Sequence, residues 1–234
     1  MLNITKNHKY FINFMLKKLM IRVGIDFSIN SPSLVIYKDN EYKFISFFND
    51  FGKDWEKSKA KTFRYHNMLK GIIELVPYTR HSDNTNYRKS ESVKMKDAIM
   101  LSNIIVDRLK QEIGDEEVSI SIEGFSFGSK NSSSTLDLAL YNSFLRINLL
   151  NTFGEDCLVV ISPTEGKKNL YGKGNATKDD MIDSFIANKL NDDELVKCEF
   201  WKFCATNELD YKNIKPIDDL VDSYSILKCN CNKE

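Results

Sequence analysis

Near the start of the chain, apolar and polar residues alternate in three short runs: IRVGIDFS at 21–28, SLVIYK at 33–38 and YKFISFF at 42–48. The runs are rich in β-branched and aromatic residues, and NSP and DNE turns separate them, which predicts a three-stranded antiparallel meander. Further on the spacing changes. Between Glu91 and Gln111, Val93, Met95, Ile99, Met100, Ile104, Ile105, Val106 and Leu109 recur mainly at helical intervals, and Gly114 follows as a stop. VSISIEG at 118–124 returns to strand alternation. Asn131 to Ser134 offer N-cap residues for a long helix through LDLALYNSFLRINLLN, closed by Gly154. CLVVIS at 157–162 predicts a buried strand, and 178–190 and 217–228 predict helices. Residues 53–64 are charged and read as a helix, whereas 79–90 have the composition of a surface loop; both look like insertions. The order β-β-β-α-β-α-β-α-α implies an α/β fold with a mixed five-stranded sheet. The antiparallel meander lies at one edge, right-handed crossovers join the parallel strands, and helices cover both faces.

Composition narrows the setting. A chain of 234 residues can bury a full core, and Lys plus Arg equal Asp plus Glu at 33 each, so any polyanion must be held by local patches. The five cysteines, Cys157, Cys198, Cys204, Cys229 and Cys231, lack paired CxxC spacing and fit a reducing intracellular setting, with Cys229 and Cys231 read as free thiols on a frayed tail. The first nineteen residues mix Lys6, Lys9, Lys17 and Lys18 with Phe11, Phe14 and Leu16, without an apolar run of signal-peptide or membrane-spanning length. Residues 1–20 are therefore expected to form a basic extension. Residues 21–234 form one domain with insertions around 50–90.

The chemistry rests on acidic residues. Asp26 and Glu123 each end an apolar strand, and Asp219 and Asp222 lie on the last helix. In an open α/β sheet, functional groups gather beyond the carboxyl ends of neighbouring strands about 4.8 Å apart, where two carboxylates can share a Mg²⁺ or Mn²⁺ ion. On the helix Asp219 and Asp222 are about 60° apart, and Asp218 is about 40° from Asp222, so geometry alone does not choose between Asp218 and Asp219. Each acid has a plainer reading by itself: Asp26 as a strand-end residue, Asp218 and Asp219 as partners of the helix dipole. Together they point to a metal-dependent nuclease, because clustered carboxylates repel unless a cation offsets them. Lys167, Lys168, Lys173 and Lys178, interspersed with Gly172 and Gly174, read as a compact basic loop entering a helix N-terminus and suited to phosphate; the plain alternative is a solvated turn.

These segments resemble the RuvC-type Holliday junction resolvases of the RNase H-like nucleases, especially their phage and viral members. The resemblance is carried by VGIDFS, by SIEGFSFGSKNSSSTLDL, by DLVDSY, and above all by SPTEGKKNLYGKGNATKDDM, where Pro163, Lys167, Gly172, Gly174 and Lys178 match without a gap. It implies an RNase H-like fold with Asp26, Glu123, Asp219 and Asp222 as ligands of two Mg²⁺ ions, replaceable by Mn²⁺. The D-x-x-D spacing excludes Asp218. It further implies that Lys178 acts near the scissile phosphate, that Lys167 is a second basic position, that Phe125 or Phe127 stacks in an opened junction, and that the helix after Ser134 forms a homodimer on four-way DNA. The products would carry 5′ phosphates. The activity would belong to DNA recombination and repair, in a host cytoplasm or a viral replication compartment. Two other classes compete: an actin-like or sugar-kinase-type ATPase, which lacks its glycine-rich nucleotide loops here, and a catalytically silent junction-binding protein.

Overall fold

The computed structural model describes residues 20–49, 64–81, 86–125 and 132–231. The basic segment 1–19, the expected helix over 53–63, and Phe127 with most of the serine-rich turn lie outside that set.

The meander forms as expected from β1 (Ile21–Asp26), β2 (Ser33–Lys38) and β3 (Glu41–Asn49), all antiparallel. Asp39 and Asn40 both take positive φ, the two-residue hairpin geometry whose twist matches that of the strands it joins. A short helix α1 (Arg64–Met68) leads into β4 (Glu74–Tyr78), which pairs in parallel with β3. The sheet therefore has six strands, one more than expected, in the order β4-β3-β2-β1-β5-β6. The meander is not the edge of the sheet. ELVPY is a poor strand signal because its proline lacks a ladder donor, and such a residue is tolerated at an edge.

On one face lie α2 (Tyr87–Ile113) and α3 (Ser132–Phe153), with β5 (Val118–Glu123) between them in sequence. α2 starts earlier than its apolar pattern suggests, because the Asn86 side chain accepts from Lys89 N–H at 3.0 Å and caps it inside the expected loop. Its buried stripe runs through Ala98, Leu101, Ile105, Val106, Leu109 and Ile113, leaving Met95 and Ile99 exposed. β5 pairs in parallel with β1, and β6 (Leu158–Ile161) with β5.

The other face carries α4 (Pro163–Tyr171), α5 (Lys178–Ile186), α6 (Glu199–Thr206) and α7 (Ile217–Cys231). α4 and α6 are additions to the expected elements. S-P-T-E opens α4 with proline in its first turn and Glu165 accepting from Ser162 N–H at 3.4 Å, a start signal hidden by the neighbouring glycines and lysines. α5 ends at Ile186, short of the expected 190, where a turn begins. Cys229 is buried within α7, so the end of the chain up to residue 231 is a packed helix rather than a frayed tail.

The two layers meet on β1. Val23 and Ile25 point to the α2–α3 side, and Gly24 faces α7. A Cβ on Gly24 would lie 2.1 Å from the backbone oxygen of Ser223 and 2.7 Å from Leu227 Cβ. At the far edge Arg108 ties α2 to the added strand. Its guanidinium contacts Glu74 at 2.5 and 2.6 Å, holding that carboxyl down to about 2, while Lys43 bridges Glu74 and Glu112 at 2.9 and 2.7 Å.

Gly24→Ala is expected to destabilise the protein by at least about 3 kcal/mol, since a rigid helix backbone rather than a flexible side chain must move. Urea denaturation followed by circular dichroism checks this. An unchanged midpoint would mean that α7 lifts from β1 at little cost.

Candidate active site

Register brings the first two acids together. Ile25 of β1 pairs with Ile122 of β5, so Asp26 and Glu123 leave adjacent parallel strands at the same end. α7 crosses beneath them and supplies Asp218, Asp219 and Asp222. Three serines fix that crossing. The Asp26 N–H donates to Ser223 Oγ at 3.1 Å, Ser33 Oγ donates to the Asp219 carbonyl at 2.7 Å, and the Ser33 and Ser223 hydroxyls lie 2.6 Å apart. Ser31 Oγ donates to Asp219 Oδ2 at 3.0 Å. The loop that carries Ser31 is propped in turn from β4 and the residues after it: Tyr78 Oη donates to the Ile29 carbonyl at 2.6 Å and Arg80 Nη1 to Asn30 Oδ1 at 2.7 Å.

The four predicted acids share one electrostatic field. Burial raises the Asp26 carboxyl well above its usual range, and Asp219, Asp222 and Glu123 raise it further against the opposing Lys215. Burial also lifts Asp222, with Asp219, Asp218 and Glu123 adding to it and Lys178 opposing, so that it is pushed up to about 7. Asp219 is raised by burial and by Asp218 despite its bonds to Lys215 and Ser31. Glu123 is raised by burial, with Lys167 pulling the other way. Such a set stores repulsion that a cation would relieve.

The donors suit a hard divalent ion: all are carboxylate oxygens, and the buried Oδ1 of Asp218 has no hydrogen-bond partner. Among the described residues, however, no three acidic, histidine or cysteine side chains converge on one point as a ready metal cage. Two of the chain's own cations occupy part of this edge. Lys215 pairs with Asp219 and lies 3.5 Å from Asp218 Oδ2, and Lys178, the first residue of α5, pairs with the same Asp218 oxygen.

The remaining predicted residues fall around this edge in different ways. Lys167 and Lys168 are on α4, not in a loop, and Lys168 is exposed; Lys173 sits in the turn between α4 and α5. Phe125, just past β5, lies under the Arg146 guanidinium at 4.5 Å, and Arg146 Nη2 donates to the Glu123 carbonyl at 2.9 Å. Phe127 is outside the described residues. Lys215, Ser31, Ser33, Ser223 and Arg146 were not anticipated. Lys215 alone left a readable signal: it stands four residues before Asp219 in K-P-I-D-D, just ahead of the helix that starts at Ile217.

The fold and this edge define a mixed α/β protein with a carboxylate site beyond the ends of β1 and β5. No protein-family model matches the chain, and no curated protein matches it. Among solved structures the chain is similar to Thermus thermophilus RuvC in complex with a Holliday junction substrate, at 10% identity over 91% of this chain and 93% of that one, with a TM-score of 0.47. It is similar to the same organism's RuvC alone, at 9% identity over 92% and 96%, with a TM-score of 0.46. The yeast mitochondrial Holliday junction resolvase is likewise similar, at 16% identity over 90% and 77%, with a TM-score of 0.49.

The raised Asp222 pKa has a thermodynamic consequence. A carboxyl at about 7 in the fold, against an ordinary 3.8, binds more protons folded than unfolded, so its contribution to stability is full at low pH and declines as pH rises from about 4 to about 7. In chelator, the unfolding free energy is expected to drop across that window by up to about 1.4 kcal/mol per pH unit from this group. Asp222→Asn should flatten the slope in urea titrations. A slope equal to wild type would refute the assignment.

Proposed function

We propose that the chain is a Mg²⁺-dependent, structure-selective DNA endonuclease that resolves Holliday junctions, and other branched DNA, by paired nicks. The supporting observation is that Asp26, Glu123, Asp219 and Asp222, drawn from three distant segments, lie at one sheet edge close enough for the shifts on Asp26 and Asp222 to include the others. These four residues would hold two divalent cations, with Mn²⁺ able to replace Mg²⁺. The chemistry such ions supply is a water made acidic enough to attack a phosphodiester and neutralisation of the leaving 3′ oxygen, which leaves a 5′ phosphate.

The chain's own residues do the rest. Lys178 stands at the first position of α5, with a side chain 61% exposed and its ammonium against Asp218; it sets a positive charge at the rim where a phosphate enters. Lys167 acts on Glu123 from α4, and Lys168 and Lys173 extend the basic surface toward solvent. Phe125, fixed by Arg146 directly beside the Glu123 carbonyl, is the described aromatic best placed to stack on a base at an opened branch point.

A four-way junction has two symmetric strands to cut, and a two-fold dimer would supply two such sites. α3 leaves Leu136 and Ile147 at 70% and 56% exposure, a surplus that a second copy would cover. Among the described residues no helix is long and apolar enough to cross a membrane. The activity would serve DNA recombination and repair inside a host cell, in its cytoplasm or in a viral replication compartment. Residues 21–234 would form the nuclease domain, with 1–20 as a basic extension.

Incubation with end-labelled four-way junction and matched linear duplex in Mg²⁺ should give symmetric nicks in the junction alone, and Glu123→Gln should cut at least about a hundredfold more slowly. Equal cutting of linear duplex would sink the proposal. Tight junction binding without cleavage in Mg²⁺ and Mn²⁺ would leave a recognition protein. Ile147→Asp is expected to shift the mass measured by light scattering from dimer to monomer and to turn paired nicks into single ones. A wild-type monomer would remove the symmetry argument.

A further inference from the structure

The most unusual group at the carboxylate edge is a cation that belongs to the chain. Lys215 lies just before α7 and is half-buried; its ammonium pairs with Asp219 Oδ1, sits 3.5 Å from Asp218 Oδ2 and acts electrostatically on Asp26. Both Asp219 oxygens are engaged, since Ser31 donates to Oδ2 at 3.0 Å. Nearby His66 is pushed down to about 4 by burial and then by Lys215, and so brings no second positive charge at neutral pH.

We propose that Lys215 is an internal counter-ion that positions Asp219 in the metal-free chain and is expelled from the carboxylates when a divalent cation binds. The inference rests on the reading of Asp26, Glu123, Asp219 and Asp222 as cation ligands. A divalent ion on Asp219 and an ammonium on the same oxygen would repel each other strongly in a site screened from water. One of the two must leave. Lysine suits this exchange because its charge is a compact point on a flexible four-carbon stem, with no planar fork to hold it in register. Lys178 does not compete in the same way. It is largely exposed and its ion pair is with Asp218, the one acid of the group outside the proposed ligand set. The exchange keeps five mutually repelling acids compact before the metal arrives, at the cost of weaker metal affinity.

The test is Mn²⁺ binding by the full-length protein, measured by isothermal titration calorimetry at neutral pH, with melting temperatures recorded in chelator and in Mn²⁺. Lys215→Met should bind Mn²⁺ about tenfold more tightly than wild type, melt lower in chelator and gain more stability from Mn²⁺. Lys215→Arg should stay within about twofold of wild type in affinity, as the charge is kept. Lys202→Met removes one exposed positive charge, paired with Glu199 on α6 and outside the acidic group, and its affinity should change little. If Lys215→Met does not fold without metal, Lys215→Gln, which retains a donor toward Asp219, takes its place in the same titration.

Unchanged or weaker Mn²⁺ binding by the Lys215 variant, beside normal binding by wild type, overturns this inference and leaves the nuclease reading intact. An equal gain from Lys202→Met also overturns it, because the effect would then be one of overall charge. Failure of both wild type and variant to bind Mn²⁺ overturns the inference and the metal-dependent reading together.

Discussion

The architecture depends on α7 lying directly against β1. That contact is possible because Gly24 has no side chain, so the strand meets the backbone of Ser223 and Leu227. The closeness has two effects. It brings Ser223 to the Asp26 N–H, where a hydroxyl takes up a strand-end donor, and it sets the acids of α7 beneath the carboxyl ends of β1 and β5. A larger residue at position 24 would part the helix from the strand and separate the carboxylates. The placement of the carboxylates and the packing of the core thus share one contact.

The same contact concentrates charge. Burial raises the pKa of all four ligand candidates, and the shifts on Asp26 and Asp222 record the presence of the others. Buried like charges cost stability unless something offsets them. In the metal-free chain the offsets are Lys215 and Lys178 on the acids of α7 and Lys167 beside Glu123. The site is held by lysines suited to exchange, since none of them is a bidentate arginine. The arginine that does approach, Arg146, contacts a carbonyl and a ring and leaves the carboxylates free for other partners.

Much of this was legible in the sequence. Alternation gave the meander and β5, an apolar run gave β6, which is not the buried strand expected but an edge strand with Val160 exposed, and helical spacing gave α2, α3, α5 and α7; the acids themselves stood at strand ends and on one helix flank. Other parts were hidden for identifiable reasons. β4 is short and contains Pro77, a weak strand pattern, although it pairs with β3 and is tied to α2 by the Arg108–Glu74 contact. α4 was masked by glycines and lysines that resemble a loop, although its capping pattern was present in S-P-T-E. Ser31, Ser33 and Ser223 carried no pattern: their hydrogen bonds join residues nearly two hundred positions apart, and only the fold makes them neighbours. Lys215 was legible as a cation four residues before Asp219 but not as its ion-pair partner, because it lies outside α7 and only the fold brings the two together.

The added strand also decides how the sheet ends. Pro77 interrupts the row of backbone donors on β4, and at the opposite margin β6 is only four residues long. A strand from another chain would find no long, regular edge to extend. Among the described residues, edge-to-edge growth of a continuous sheet between copies is thereby disfavoured at both margins.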